Sequence, residues 1–134
     1  TDGEVTLRPV EEVIELLQYA RSLDLIPMLM THGDSFRRRP GLLERLMVEG
    51  GLTEVSIHVD TTQRGRQGDR WRRATTEAEL NPLREEFAAM VRAAQRATGL
   101  PLRAATTMTV TRENLDGVAD VVRWLAGHAD AFRL

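Results

Sequence analysis

The sequence predicts an α/β fold built on a parallel sheet, and three observations support this. Apolar residues at helical spacing alternate with short apolar runs in the order helix, strand, four times over. Strands that alternate with helices are joined by right-handed crossovers, which make neighbouring strands parallel. The chain has 134 residues, enough for one compact domain, and no tandem repeat. We therefore expect a single domain over residues 1–134.

The first predicted helix and strand show the two patterns. Residues 9–23 place apolar side chains at helical spacing behind an acidic first turn, and Pro9 suits the first helical position. Residues 25–31 form a continuous apolar run. Such a run is typical of a strand buried on both faces, as in parallel sheets.

The later elements are predicted by the same criteria. Gly50 and Gly51 supply a stop for the second helix, and Gly99 supplies one for the third. Thr111 suits the N-cap of the last helix, where Asn114 partly imitates a capping box. The predicted helices cover 40–49, about 77–98 and 111–125, and the predicted strands cover 53–60, 102–110 and 130–134. Asn81 and Pro82 mark either the true start of the helix over 77–98 or a break near its beginning.

Composition excludes several kinds of chemistry. The chain has no cysteine, and therefore no thiol nucleophile, disulfide or cysteine-ligated iron–sulfur cluster of its own. All 18 basic residues are arginine, so there is no Schiff-base lysine and no phosphate-loop lysine. A net charge of −2 argues against a broad nucleic-acid surface. With no membrane-length apolar run and no signal-peptide pattern, we expect a cytoplasmic protein that does not engage the membrane.

The predicted strand over 53–60 carries the most informative row of side chains. Alternation puts Ser56, His58 and Asp60 on one face and branched apolar residues on the other. A hydroxyl, an imidazole and a carboxylate in one row suit a polar cavity near the carboxyl end of a strand, where parallel α/β folds place their sites. A hydrogen-bonded structural network is the open alternative.

Polar residues also occur on the neighbouring predicted strands. Thr31 and His32 end the first strand, and Gly33 after them permits a tight turn or close ligand approach. Thr107 and Thr109 share the more polar face of the third strand. These residues are therefore expected to line the same cavity as the row on the second strand.

Residues 63–73 contain five arginines, two glycines and one tryptophan. This composition is similar to that of RNA-binding stretches, with arginines for phosphates and an aromatic ring for stacking. It suits equally a loop that closes over an anionic substrate, because Arg64 could bind a carboxylate through two hydrogen bonds. A solvated loop without a function is the third open alternative.

Read in order, these segments resemble the radical S-adenosylmethionine (SAM) superfamily over essentially the whole chain. Residues 2–4 are similar to the family's Gly-Gly-Glu motif, with a leucine-arginine continuation into a helix. Residues 31–33 are similar to its Thr-Asn-Gly, and residues 56–60 to its Ser-x-x-x-Asp variants. Two residues depart from these motifs, since Asp2 replaces the first glycine and His32 replaces the asparagine.

The resemblance implies a partial (β/α)6 TIM-like barrel that runs to the sixth strand and binds SAM at its strand ends. It implies that a 4Fe–4S cluster is held by a CxxxCxxC motif upstream of residue 1, in a parent enzyme that accepts electrons from flavodoxin or ferredoxin. That parent would generate a 5′-deoxyadenosyl radical on an unknown substrate, while this chain alone would be inactive. The implied SAM-binding residues are Asp2, Gly3, Glu4, Thr31, His32, Ser56, His58, Asp60, Arg64 and Thr107.

Two other classes of function stay open. A metal-dependent α/β-barrel enzyme would use His58 and Asp60, with Glu4 or His32 completing the ligand set. An RNA-binding module would use the arginines of 63–73, and its affinity would fall with rising salt.

Overall fold

A four-stranded parallel sheet forms the centre of the fold, in the sequential order β1-β2-β3-β4. The structure is a computed structural model that describes residues 4–63 and 74–133, and only the backbone of Gln63, Phe132 and Arg133. The predicted α/β class with a parallel sheet is confirmed. The strands are β1 (Met28–Thr31), β2 (Glu54–His58), β3 (Arg103–Thr107) and β4 (Ala131–Arg133).

Helices connect the strands, and glycines end two of them as predicted. Gly51 and Gly99 adopt left-handed backbone angles, with φ of 69° and 68°, just after α3 and α4. In the described part of the chain, the helices are α1 (Val10–Ser22), α2 (Asp34–Arg38), α3 (Leu42–Val48), α4 (Asn81–Thr98) and α5 (Val118–Leu125). None of these helices is both long and apolar enough to cross a membrane.

One face of the sheet packs against the helices. Leu29 of β1, Val55 and Ile57 of β2 and Ala104 of β3 join the main apolar core with α1 to α4. Right-handed crossovers that step in one direction along the sheet place their helices on the same face, which explains this arrangement. A smaller apolar cluster of Met108, Val121 and Leu125 packs α5 against the segment that follows β3.

The opposite face carries the alternate side chains of β1, β2 and β3, and we call it the open face. No described side chain of this face belongs to either apolar cluster. Met28 and Met30 are 40% and 43% exposed, whereas Leu29 between them is buried. The prediction that the first strand is buried on both faces is therefore wrong, because only the helical side of β1 is covered.

The last helix begins later than the sequence predicts. Thr111 is not its N-cap, since α5 starts at Val118 after a 3₁₀ turn at Leu115–Gly117. The reason is that the side chain of Asn114 is held by Thr111 N and Thr109 O, which fixes a turn before any helix starts. The short helix α2 was not predicted, because five residues are too few to show a periodic pattern.

Candidate functional site

The carboxyl ends of β1, β2 and β3 lie side by side, and we call this end of the sheet the site edge. The parallel register pairs Thr31 with Ile57, and His58 with Thr107. Residues that are far apart in the sequence therefore meet there. The described residues that the sequence assigned to the site are Glu4, Thr31, His32, Ser56, His58, Asp60 and Thr107.

Glu4 joins the start of the described chain to the end of β1. Its Oε1 accepts hydrogen bonds from Thr31 Oγ1 at 2.7 Å and from Thr6 Oγ1 at 2.5 Å. Its Oε2 accepts one from the His32 backbone amide at 2.8 Å. Burial raises the pKa of Glu4, but these bonds, led by that from His32, outweigh it and hold the pKa below its ordinary value.

Gly33 turns the chain immediately after these residues. Its φ of 85° is left-handed, and it forms the N-cap position of α2. A Cβ at this position would lie 3.2 Å from Ile57 Cδ1 and 3.2 Å from Phe87 Cδ2. Both the backbone angle and the space therefore require glycine, which confirms the predicted tight turn.

His32 extends toward the end of β2. Its Nδ1 lies 3.2 Å from the His58 carbonyl oxygen, and its ring stacks with the His58 ring at a centroid distance of 6.0 Å and an angle of 22°. Since a carbonyl only accepts, this hydrogen bond places a proton on His32 Nδ1. The predicted residues of the first and second strands are thus brought together directly.

Asp60 has hydrogen-bond partners at both carboxylate oxygens, and its side chain is 0% exposed. Its Oδ1 accepts from the Thr62 amide at 2.8 Å and from the Thr62 hydroxyl. Its Oδ2 accepts from the Thr109 amide at 2.7 Å and lies 2.9 Å from His58 Nε2. Burial raises the pKa of Asp60, but the hydrogen bonds from His58, Thr109 and Thr62 lower it to about 2.

Ser56 and Thr107 form a hydroxyl pair on the open face. Their oxygens are 2.8 Å apart across β2 and β3. Ser56 is buried, while Thr107 and His58 are half-buried. The alternation predicted for the second strand is confirmed, because Val55 and Ile57 face the core while Ser56 and His58 do not.

A buried network that the sequence did not predict lies behind the site edge. The side chains of Arg84 and Glu77 are 0% and 1% exposed, and Arg84 Nη2 donates to Glu77 Oε2 at 2.7 Å. Arg84 also donates to the Val59 carbonyl at 2.8 Å, and Glu77 Oε1 accepts from the Thr61 amide at 2.9 Å and from Asn114 Nδ2 at 2.9 Å.

This network fixes the segments that follow β2 and β3. Thr61 follows β2, Asn114 follows β3, and a single carboxylate holds both. Burial lowers the pKa of Arg84, while Glu77 opposes that change. Arg84 Nε is buried and has no hydrogen-bond partner among the described residues. No sequence signal distinguishes this pair, since a glutamate and an arginine near a helix start usually face solvent.

Several sequence predictions are not placed by the structure. Asp2, Gly3, Arg64 and the arginine-rich segment 64–73 lie outside the described residues. Within the described ranges, no three histidine, aspartate or glutamate side chains form a group that could hold a metal ion.

Comparison with known proteins adds no relative from which a function could be transferred. The chain matches none of the protein-family models, curated proteins or solved structures with which it was compared, so the chemistry of the site edge is the guide to function.

Proposed function

We propose that this chain is the SAM-binding part of a radical SAM iron–sulfur enzyme. The carboxylate of Glu4 supports this most strongly, because it binds Thr31 Oγ1 and the His32 amide, 27 and 28 residues away. This contact joins the Gly-Gly-Glu-like segment to the Thr-x-Gly-like segment at the end of β1. The Ser-x-x-x-Asp-like segment lies on the adjacent strand of the same edge.

A partial (β/α)6 barrel is the finer fold that we propose. Sequential strand order with the helices on one face is the arrangement of a barrel, whereas doubly wound sheets carry helices on both faces. We place the parent protein in the cytoplasm.

The open face fits the polar parts of SAM. Thr107 offers a hydroxyl and His58 an imidazole, the groups that would hydrogen-bond a ribose or an amino-acid carboxylate, while the buried Ser56 holds the Thr107 hydroxyl in place. Glu4, Thr31 and Asp60 have their polar atoms engaged by protein groups, and we assign them the positioning of neighbouring backbone. In the parent enzyme, SAM would supply the 5′-deoxyadenosyl radical.

The iron–sulfur cluster does not fit the residues of this chain. A 4Fe–4S cluster is held mainly by cysteine thiolates, and the sequence contains none. We therefore assign the cluster, and the flavodoxin or ferredoxin that would reduce it, to other parts of the parent protein.

Binding of S-adenosylhomocysteine, a stable SAM analogue, tests the pocket without a cluster. We expect saturable NMR shifts at Ser56, His58 and Thr107, with millimolar affinity because the pocket is incomplete. Thr107→Val should weaken binding by about fivefold to tenfold, the effect of one lost hydrogen bond. Thr98→Val is the matched control, since Thr98 ends α4 away from the site edge. Shifts confined to other surfaces, or no saturable shifts, would contradict the proposal.

Reductive cleavage of SAM tests whether the reaction requires parts of the parent protein outside this chain. With dithionite and SAM, this chain should form no 5′-deoxyadenosine, while the full-length parent should form it. We also expect three cysteines, separated by three and then two residues, to be encoded upstream of Thr1. Stoichiometric 5′-deoxyadenosine from this chain alone would overturn the proposal.

A metal-dependent enzyme has less support. Asp60 is fully buried and already accepts hydrogen bonds at both oxygens, so it has little capacity left for a metal. We therefore expect a divalent-metal titration to give no tight binding and no difference between the wild type and His58→Ala. The RNA-binding hypothesis rests on residues outside the described ranges and stays a prediction.

A further inference from the structure

The pairing of His58 with Asp60 has a chemical consequence beyond ligand contact. Asp60 is ionised throughout the physiological pH range, because hydrogen bonds hold its pKa far below neutrality. An ionised carboxylate can only accept hydrogen bonds. His58 Nε2, 2.9 Å from Asp60 Oδ2, must therefore carry the proton and donate it.

The neutral His58 ring consequently has its lone pair on Nδ1. None of the described residues hydrogen-bonds to that nitrogen, whereas Nε2 has Asp60 and the Thr109 hydroxyl, at 3.1 Å, beside it. The other two histidines have the opposite tautomer. Nδ1 of His32 and Nδ1 of His128 each bond a backbone carbonyl, at 3.2 Å and 2.7 Å, and each must carry a proton there.

Asp60 accepts hydrogen bonds from other groups besides His58. The Thr62 amide, the Thr62 hydroxyl and the Thr109 amide already donate to its two oxygens. His58, by contrast, gains from Asp60 a fixed tautomer and a counter-charge for its protonated form. An imidazole oriented by a buried carboxylate is the arrangement by which proteins prepare a base.

The imidazole is reachable from the open face. The His58 side chain is 20% exposed, whereas Asp60 behind it is 0% exposed. His58 lies at the site edge on the same side of the sheet as Ser56 and Thr107. A molecule that contacts the half-buried Thr107 is therefore close to the base.

We propose that His58 Nδ1 accepts a proton from a molecule bound on the open face, with Asp60 as its positioning residue. The proton donor would be an ammonium or hydroxyl group, X–H. The X–H bond breaks, X keeps the electron pair, and the proton bonds to Nδ1 to give an imidazolium beside the Asp60 carboxylate. That X–H is a radical SAM substrate rests on the proposed function. The role of His58 as a base rests only on its contacts with Asp60 and on the Nδ1 lone pair, to which no described residue hydrogen-bonds.

The tautomers test the proposal in the unmodified protein. With ¹⁵N-labelled histidine at about pH 9, where imidazoles are neutral, we expect Nε2–H with an unprotonated Nδ1 at His58, and Nδ1–H at His32 and His128. The assignments come from His32→Gln, His58→Gln and His128→Gln. A protonated Nδ1 at His58 would overturn the proposal.

Access to the lone pair is tested with diethyl pyrocarbonate, which acylates unprotonated imidazole nitrogen. Peptide mapping should show His58 modified at Nδ1, and a His58 left unmodified after His32 and His128 have reacted would overturn the proposal.

Asp60→Asn, checked for folding by circular dichroism, should shift the His58 Nε2–H proton upfield and speed its exchange with water. An unchanged proton resonance would exclude Asp60 as the positioning residue.

The proposed base at His58 and the proposed SAM pocket can be contradicted independently of each other. If saturating S-adenosylhomocysteine slows acylation of His58 at Nδ1, the base lies in the SAM pocket. If acylation at Nδ1 is unaffected by this compound, the base is upheld while the SAM pocket is contradicted.

Discussion

At the scale of single residues, the half-buried carboxylate of Glu4 and the buried carboxylate of Asp60 organise the site edge by accepting backbone amides from distant parts of the chain. Glu4 accepts the His32 amide, and Asp60 accepts the Thr109 amide 49 residues away. Charge-assisted bonds of this kind are stronger than those between neutral groups. Both carboxyl groups therefore stabilise the fold only while they are ionised.

The ionisation of Asp60 predicts a defined loss of stability in acid. A carboxyl group whose pKa is lowered by folding stabilises the protein above its unfolded pKa, and that contribution is lost as pH falls through the folded pKa. For Asp60 the window runs from about 4 down to about 2. Urea unfolding of Asp60→Asn should show a loss of about 1–2 kcal/mol or more at neutral pH. The difference from wild type should shrink through this window.

An exposed carboxylate provides the control for this measurement. Asp116 is exposed, and Asp116→Asn should unfold like the wild type at every pH. A stability difference for Asp60→Asn that stays constant from neutral pH into acid would contradict the role given to its charge.

Gly33 predicts a second effect at this scale. Gly33→Ala should destabilise the protein by about 2–4 kcal/mol, because left-handed strain adds to close contacts with Ile57 and Phe87. Gly41→Ala separates the two causes, since Gly41 has a similar φ of 82° but nothing within 4 Å of an added Cβ. Its loss should be about 1–2 kcal/mol. Equal losses in denaturant unfolding would show that packing at Gly33 contributes nothing.

Alternation along the second strand was enough to predict the row of Ser56, His58 and Asp60. It could not show which members of that row are available to a ligand. Availability depends on hydrogen bonds from Thr62 and Thr109, and the second of these lies on a different strand segment. The alternation of side chains along a strand shows which face each side chain lies on. Hydrogen-bond partners on neighbouring strands follow only from the register of the sheet.

At the scale of elements, the buried Glu77–Arg84 pair holds the start of α4 against the ends of β2 and β3. The sequence predicted α4 from about residue 77, with Asn81 and Pro82 marking an alternative start or a break. The alternative start is confirmed, since α4 begins at Asn81, after a 3₁₀ turn at Ala78–Leu80. The carboxylate of Glu77 is instead directed to Thr61 and Asn114, a tertiary effect that no local pattern contains.

Removing the charge of Glu77 should be strongly destabilising. Glu77→Gln keeps the shape and one acceptor oxygen but leaves Arg84 as a buried cation without its counter-charge. Loss of one partner of a buried pair costs about 3–5 kcal/mol, which thermal or urea unfolding would detect. Asp120→Asn breaks the exposed Arg123–Asp120 pair and should leave stability close to that of the wild type. Similar effects for both substitutions would contradict the importance of burial.

At the scale of the whole molecule, the described sheet has an edge strand, and α1 carries exposed apolar side chains. Among the described residues, β1 pairs only with β2. Leu16 and Tyr19 of α1, and Leu23 directly after it, are 57%, 64% and 53% exposed. An unpaired strand edge and an exposed apolar surface both favour self-association.

Self-association should therefore depend on this surface. Leu16→Lys is expected to reduce concentration-dependent association in sedimentation experiments, because it places a charge in the contact. Val48→Lys is the matched control, since Val48 is 62% exposed at the end of α3. A wild-type protein that stays monomeric at all concentrations, or equal effects of both substitutions, would show that the surface has no such role.

The overall layout was predicted because alternating helices and strands leave few topologies. The exposed second face of β1 was not predicted, since an apolar run has the same appearance whether one or both sides are covered. Whether Met28 and Met30 are buried or exposed depends on whether another element packs against their face of the sheet.

The carboxylates that bind loop amides also determine how slowly those amides exchange with solvent. Thr61 and Thr109 lie beyond the ends of β2 and β3, yet their amides donate to the buried side chains of Glu77 and Asp60. An amide held in this way exchanges with deuterium only when its carboxylate separates from it. Both should therefore exchange as slowly as amides within the sheet, making the two loops part of the cooperative unit that unfolds together.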